Sequence, residues 1–183
     1  MNERTPLLIL GLGNVLLEDD GVGSAAVRAL LDGYVPPDNV RVFDGGTLGL
    51  SLLPYVDAAE ALILVDAVKA DAAPGTCVRI NADDVAPAVA TRLSPHQIGV
   101  ADLLDGARWL GRSPRNLTLL GLVPESMELG VGLTPKVHDA LLDLVELIVD
   151  TAREFGFPFR RRPAHEMAAD AGTPDVARLA GMQ

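Results

Sequence analysis

An apolar run near the start of the chain, residues 7–10, constrains the fold more than any other stretch, because it breaks into a loop bracketed by glycines. The run has the length and composition of a strand. Residues 24–31 follow with the apolar spacing of a helix. The stretch therefore predicts a strand, a loop and a helix in that order.

The loop carries three consecutive carboxylates, Glu18, Asp19 and Asp20. A glycine-rich turn between a first strand and a first helix often binds a nucleotide phosphate, because free backbone N–H groups attract anions. Three carboxylates beside a pyrophosphate would place like charges together. Leu16 also stands where the dinucleotide fingerprint needs its third glycine. The loop is therefore better suited to a cation, although Gly11 and Gly13 are equally explained by tight-turn geometry alone.

Composition limits the class of protein. The 183 residues are 49% hydrophobic and 4% aromatic, which predicts one sizeable aliphatic core and fits a buried parallel sheet. The net charge of −10 argues against nucleic acid and against an anionic membrane surface as partners. A single cysteine, Cys77, cannot form an internal disulfide, and we read it as an inert buried thiol. Without a signal peptide or a membrane-spanning run, we expect a soluble cytoplasmic protein.

Five strands are predicted along the chain. They cover residues 7–10, 40–43, 61–65, 75–80 and 117–123. The third is the most continuously apolar and is expected at the sheet centre. Only a few residues, with Pro74 and Gly75 among them, join it to the fourth strand, whereas a parallel crossover needs a dozen or more residues. The fourth strand should therefore run antiparallel to the third, which gives a mixed sheet.

Helices are predicted between these strands, over residues 47–53 with Pro54 as an interruption, over residues 99–110, and from Thr134 and Pro135 onward. The periodic pattern stops at Gly156. We therefore expect one domain, residues 1–156, and a flexible or weakly helical C-terminal tail, residues 157–183.

Carboxylates follow four of the five predicted strands. They are Asp20 in the first loop, Asp44 after the second strand, Asp66 after the third and Glu125 after the fifth. Alternating strands and helices predict a sheet with helices on both faces, in which ligands bind at the carboxyl ends of the strands. In the common doubly wound order, Asp20 and Asp66 would flank the crevice itself.

Two carboxylates alone could act as a general acid and base or could bind a hard cation. An imidazole added to them favours a borderline transition metal such as nickel or zinc. His96, in the loop motif Ser94-Pro95-His96-Gln97, is the candidate. No H-E-x-x-H, G-x-S-x-G or paired-cysteine motif offers a different chemistry.

Five motifs in order resemble the hydrogenase maturation proteases. They are Gly11-Leu12-Gly13-Asn14 with Asp19-Asp20-Gly21-Val22-Gly23, then Asp44-Gly45-Gly46-Thr47, Val65-Asp66-Ala67, Ser94-Pro95-His96-Gln97 and Gly121-Leu122-Val123-Pro124-Glu125-Ser126. The resemblance extends from about Leu7 to Gly156. It implies a three-layer α/β/α sandwich, hydrolase-like, with a mixed five-stranded sheet whose fourth strand is antiparallel.

The resemblance also implies an activity, a partner and a metal. The expected protein is an aspartic-type, metal-dependent endopeptidase that removes the C-terminal extension of a nickel-iron hydrogenase large-subunit precursor after nickel insertion. By position, the catalytic and nickel-contacting residues fall on Asp20, Asp66 and His96. The nickel is expected to arrive with the precursor, and the free protein to bind it weakly. Asp44 and Glu125 are second-tier site residues, since they match family motifs beside residues that turns also favour.

Asp20 departs from the family pattern, because relatives often carry glutamate there and aspartate is one methylene shorter. Two other functions stay open at this point. One is a nickel-binding maturation chaperone without catalysis, and the other is a dinucleotide-binding protein of Rossmann type, for which Asp44 would be the ribose-binding acid.

Overall fold

A five-stranded sheet forms the centre of the protein. The computed structural model describes residues 5–81, residue 104 and residues 113–163. The strands in chain order are β1 (Thr5–Leu12), β2 (Tyr34–Val35), β3 (Val40–Gly46), β4 (Ala59–Ala67), β5 (Cys77–Asn81), β6 (Asn116–Leu122) and β7 (Arg160–Arg161). All but β2 and β7 belong to the sheet, and those two pair separately with each other.

Four α-helices lie within the described ranges. They are α1 (Val22–Gly33), α2 (Leu53–Ala58), α3 (Pro135–Asp139) and α4 (Leu141–Glu154). Short 3₁₀ helices, Glu18–Gly21 and Gly49–Leu52, lead directly into α1 and α2. None of the helices in this part of the chain has the length and apolar content needed to cross a membrane.

The strand order is β3-β1-β4-β6-β5. Strand β1 pairs in parallel with both β3 and β4, and β4 pairs in parallel with β6. Strand β5 runs antiparallel and pairs with β6 at the edge of the sheet. The mixed five-stranded sheet, its antiparallel fourth strand and the central place of β1 and β4 are thus confirmed. The antiparallel strand hydrogen-bonds to the last strand of the sheet, although it follows β4 in sequence.

Alternate side chains of the central strands enter two separate cores. Leu7 and Ile9 pack with α1 and α4 on one face of the sheet. Leu8 and Leu10 pack on the other face with residues of α2, such as Val56. Because both faces of β1 and β4 are covered by helices, their sequences are continuously apolar, as a buried parallel strand requires.

Local details differ from the predictions at two helices. Pro54 lies in the first turn of α2, where a missing N–H costs nothing, so it starts a helix that the sequence suggested it would interrupt. The predicted last helix is divided at Ala140 into α3 and α4. The helix predicted over residues 99–110 lies outside the described residues except at Leu104, which is helical and buried.

The chain after Gly156 contacts the domain through a short segment. Phe159 is only 9% exposed and joins the core beneath α1 and α4. Strand β7 pairs antiparallel with β2. Arg162 donates from its backbone N–H to the Gly33 carbonyl and from Nε to the Leu31 carbonyl. Residues after the predicted domain boundary at Gly156 therefore contact the domain. Residues 164–183 of the predicted tail lie outside the described residues.

A polar triad completes this attachment. Tyr34 donates from its hydroxyl to Glu146 Oε1 at 2.7 Å, and Arg161 donates from Nη2 to the same oxygen at 2.6 Å. The Tyr34 hydrogen bond and the Arg161 guanidinium lower the pKa of Glu146. Burial, together with the Glu146 carboxylate, raises the pKa of Tyr34. These contacts connect β2, α4 and β7.

We expect Phe159→Ala to lower the free energy of unfolding by about 3 kcal/mol, because it removes a buried aromatic side chain and leaves a cavity. Arg160→Ala is the matched control, since its side chain is exposed and the β2–β7 backbone pairing is kept. Urea unfolding of the two variants measures the difference. Equal stability of the two variants would show that burial of the Phe159 side chain does not stabilise the fold.

Candidate active site

The carboxyl ends of β1 and β4 form the switch point of the sheet. Strand β1 lies between β3 and β4 in the sheet. The chain passes from β1 to β3 on one side and then returns to β4 on the other side. Asp20 lies in the 3₁₀ helix that follows β1, and Asp66 lies near the end of β4. Their exposed fractions are 0% and 2%. The structure thus brings two buried carboxylates to the end of the sheet where doubly wound folds bind their ligands.

Two glycines allow the loop to approach the strands this closely. A Cβ on Gly13 would lie 1.7 Å from the Asp20 carbonyl oxygen, and the φ of Gly13 is +119°. A Cβ on Gly23 would lie 2.2 Å from the Leu12 carbonyl oxygen and 2.3 Å from that of Val65. Side chains at these positions would separate α1 from the ends of β1 and β4. The glycine pattern of the loop therefore serves close backbone packing.

The same loop uses its own carboxylate where a nucleotide-binding loop would use a phosphate. Asn14 donates its backbone N–H to Asp20 Oδ2 at 2.9 Å, and Gly13 donates its backbone N–H to the Gly46 carbonyl at 3.0 Å. These two amides are engaged within the protein, and the nearest side chain is anionic. Because these backbone N–H groups already donate within the protein, they are not available to bind the phosphates of a dinucleotide. The contacts therefore argue against the dinucleotide-binding function.

Asp19 clamps the acidic loop to a distant part of the chain. Its exposed fraction is 0%. The backbone N–H groups of Glu125 and Ser126 donate to Asp19 Oδ2 at 2.9 and 3.0 Å. Thr134 donates its backbone N–H to Oδ1 at 2.7 Å and its hydroxyl to Oδ2 at 2.9 Å. Four hydrogen bonds to one buried carboxylate hold the loops after β1 and β6 in a single arrangement.

The role of Asp19 was missed by sequence reasoning, which treated it as one of three similar acids. Its partners lie more than a hundred positions along the chain, so local pattern carries no signal for them. One clue was available at Thr134, which precedes Pro135 at a helix start. Thr134 does occupy the N-cap position of α3, but its hydroxyl makes no capping hydrogen bond and donates to Asp19.

The second-tier acids lie at the same end of the sheet but are exposed. Asp44 is the register partner of Gly11, and its Oδ1 accepts a hydrogen bond from the Ser24 hydroxyl at 2.6 Å. Glu125 forms an ion pair with Lys136 through Oε1 and Nζ. Asp44 thus ties β3 to the first turn of α1, and Glu125 ties the loop after β6 to α3.

The third predicted metal contact, His96, lies outside the described residues, together with its motif, residues 94–97. Across residues 5–81, 104 and 113–163, no three His, Cys, Asp or Glu side chains are grouped so that they could hold a metal ion. A metal at Asp20 and Asp66 would therefore need a ligand from elsewhere. Burial, with a smaller effect from Asp143, raises the pKa of Cys77, as expected for an unreactive thiol.

Comparison with known proteins gives a consistent result. The sequence model of the family described as hydrogenase maturation protease matches residues 25–151. The hydrogenase 2 maturation protease of Escherichia coli is 40% identical over 151 residues, which are 82% of this chain and 92% of the relative. The hydrogenase expression/formation protein HupD of Rhodobacter capsulatus is 43% identical over 175 residues, covering 94% of this chain and 82% of the relative.

A solved structure, the hydrogenase maturating endopeptidase HybD of Escherichia coli, superposes with a TM-score of 0.82 at 39% identity. The superposition covers 86% of this chain and 98% of that one. The fold therefore places the protein among the α/β endopeptidases. With the family match over most of its length, the chain belongs to the hydrogenase maturation protease family. The resemblance and the fold inferred from the sequence are confirmed.

We expect Asp19→Asn to lower the free energy of unfolding by about 3 kcal/mol. The amide group has nearly the same shape, but it turns an N–H toward N–H donors and removes a charge that four hydrogen bonds stabilise. Asp139→Asn is the control, because the Asp139 side chain is 85% exposed. Thermal and urea unfolding measure the free energy of unfolding of both variants. A change no larger than that of the control would mean that the clamp is energetically unimportant.

Proposed function

We propose that this protein is an endopeptidase that removes the C-terminal extension from a nickel-iron hydrogenase large-subunit precursor once nickel has been inserted. The pair of buried carboxylates, Asp20 and Asp66, at the switch point of the sheet is the observation that carries the proposal. Family membership supports the peptidase activity. The single cysteine agrees with action in a reducing compartment such as the cytoplasm.

The nickel belongs to the substrate in this proposal, and the precursor's own ligands hold it. Asp20, Asp66 and His96 complete its coordination and so position the adjacent peptide bond. Carboxylate and imidazole donors together suit a borderline divalent metal. Because most of the nickel's ligands come from the precursor in this proposal, we expect the free protein to bind the ion weakly. Leu104 is eight positions after His96 in the sequence. Its side chain packs in the core cluster that contains Leu62 and Leu64 of β4.

The chain's own groups have defined tasks. One oxygen of each carboxylate accepts a backbone hydrogen bond, from Asn14 to Asp20 and from Ala67 to Asp66. These bonds fix the orientation of the carboxylates before substrate arrives, which lowers the entropic cost of alignment. Burial strengthens the attraction of the carboxylates for a cation. Two chemical routes stay open: a carboxylate acts as general base toward water, or the cation polarises the scissile carbonyl.

The decisive experiment incubates the purified protein with nickel-loaded and nickel-free precursor and measures the product masses. We expect a single C-terminal cut in the nickel-loaded precursor only. Asp20→Asn, Asp66→Asn and His96→Ala should each lower the cleavage rate by about 100-fold or more, because each removes a group that orients the reacting bond. Asp139→Asn, far exposed on α3, should cleave like the wild type.

Other results point elsewhere. Equal cleavage of nickel-free precursor would remove nickel from recognition. Wild-type rates in the Asp20 and Asp66 variants would remove the crevice from the site. Tight binding of free nickel without any cleavage would favour the carrier function.

A further inference from the structure

Two loops at the carboxyl end of the sheet display large apolar side chains to solvent. Val15 and Leu16 follow β1 and are 50% and 55% exposed. Leu129 and Val131 follow β6 and are 85% and 86% exposed. We call these four side chains the apolar ridge. Apolar side chains grouped in this way are typical of surfaces that bind a partner.

The backbone of the ridge is fixed. Gly130 donates its N–H to the Leu16 carbonyl at 2.9 Å, and Glu18 donates its N–H to the Gly130 carbonyl at 3.1 Å. A Cβ on Gly130 would lie 2.8 Å from the Glu18 Cγ, so the loops are in close contact. Asp19, the residue after Glu18, joins the same two loops through its hydrogen bonds to Glu125 and Ser126. A rigid surface loses little conformational entropy when it binds, so the ridge is organised for binding in advance.

A cleft of about 190 Å³ opens beside the ridge. Val15, Val131 and Leu133 contribute its apolar lining, and Glu18 and Arg28 its charged groups. Drug-sized ligands occupy pockets of about 300–1,000 Å³, so this cleft is suited to one large apolar side chain. Gly21, the residue after Asp20, also lines it. The cleft is therefore continuous with the loop that carries the proposed catalytic carboxylate.

Charge selects the occupant. Glu128, an exposed acid, adjoins Leu129 of the ridge, and the cleft is lined by Glu18 together with the single base Arg28. Glu125 is paired with Lys136, and the whole chain has a net charge of −10. A second copy of the chain would bring like charges onto the same surface. A polypeptide segment that combines an apolar side chain with basic residues complements both features.

We propose that the apolar ridge and its cleft are the docking surface for the polypeptide substrate, which inserts an apolar side chain between Val15 and Val131 and places basic residues near Glu18 and Glu128. This rests on the proposed function for the identity of the substrate. The ridge binds the substrate before and during cleavage. The ridge contributes to the affinity for the substrate and takes no part in the chemistry at Asp20 and Asp66.

The test measures cleavage of the nickel-loaded precursor at varied concentration by the double variant Leu129→Asp with Val131→Asp. The KM should rise about tenfold with kcat nearly unchanged, because the lost contacts act equally in the bound and transition states. Leu142→Asp is the matched control, an exposed leucine of α4 outside the ridge, and should behave as the wild type. The milder pair Leu129→Ser with Val131→Ser should shift KM in the same direction.

Charge and self-association are tested separately. Glu128→Lys should also raise KM, and the increase should shrink at high salt, because screening weakens exposed charge interactions. Unchanged KM in both ridge double variants would overturn the proposal, as would a wild-type dimer that these variants dissociate without any effect on cleavage.

Direct binding of the precursor, followed by fluorescence anisotropy, separates the two proposals. Binding that is weakened in the ridge variants, with no cleavage by the wild type, would uphold the ridge and reject the peptidase. Normal cleavage by the wild type and by the ridge variants would uphold the peptidase and reject the ridge.

Discussion

The buried carboxylate of Asp19 is the interaction on which the rest of the site depends. It joins the loop after β1 to the loop after β6 and to the start of α3 through four hydrogen bonds. A charge with no exposed surface is costly to bury unless it is fully engaged, so this contact tolerates little rearrangement. Asp20 is the next residue, and the apolar ridge lies on the two loops that the clamp joins. The position of Asp20 and the arrangement of the apolar ridge therefore both depend on the hydrogen bonds of Asp19.

The loop after β1 differs from the corresponding loop of nucleotide-binding α/β proteins. In nucleotide-binding relatives of this architecture, the first loop offers backbone N–H groups to a phosphate. Here the loop directs the Asn14 N–H to Asp20, and its glycines allow the backbone to pack against β1 and β4. The carboxylate supplies the negative charge from within the protein. The crevice therefore contains the carboxylates of Asp20 and Asp66 where a nucleotide-binding loop would hold a phosphate.

Much of this could be read from the sequence, because the signals are local. The apolar runs of β1 and β4 need helices on both faces, and the short connection after β4 excludes a parallel crossover. The acids at the strand ends lie at one end of the sheet because parallel strands share a carboxyl edge. The Asp19 contacts, the redirected Thr134 hydroxyl and the β2–β7 pair could not be predicted. Each depends on residues that only the tertiary fold brings together, and two-residue strands have no periodicity to detect.

Amide hydrogen exchange at neutral pH is the sharpest test of the Asp19 contacts, because it reports on the hydrogen-bond partners of Asp19 in the unaltered protein. The backbone N–H groups of Glu125, Ser126 and Thr134 lie in loops or at a helix start, where amides normally exchange quickly. If Asp19 holds the two loops together, these three amides exchange as slowly as the amides of the central strand β4. Fast exchange at all three, like that of ordinary exposed loops, would show that Asp19 does not hold the site together.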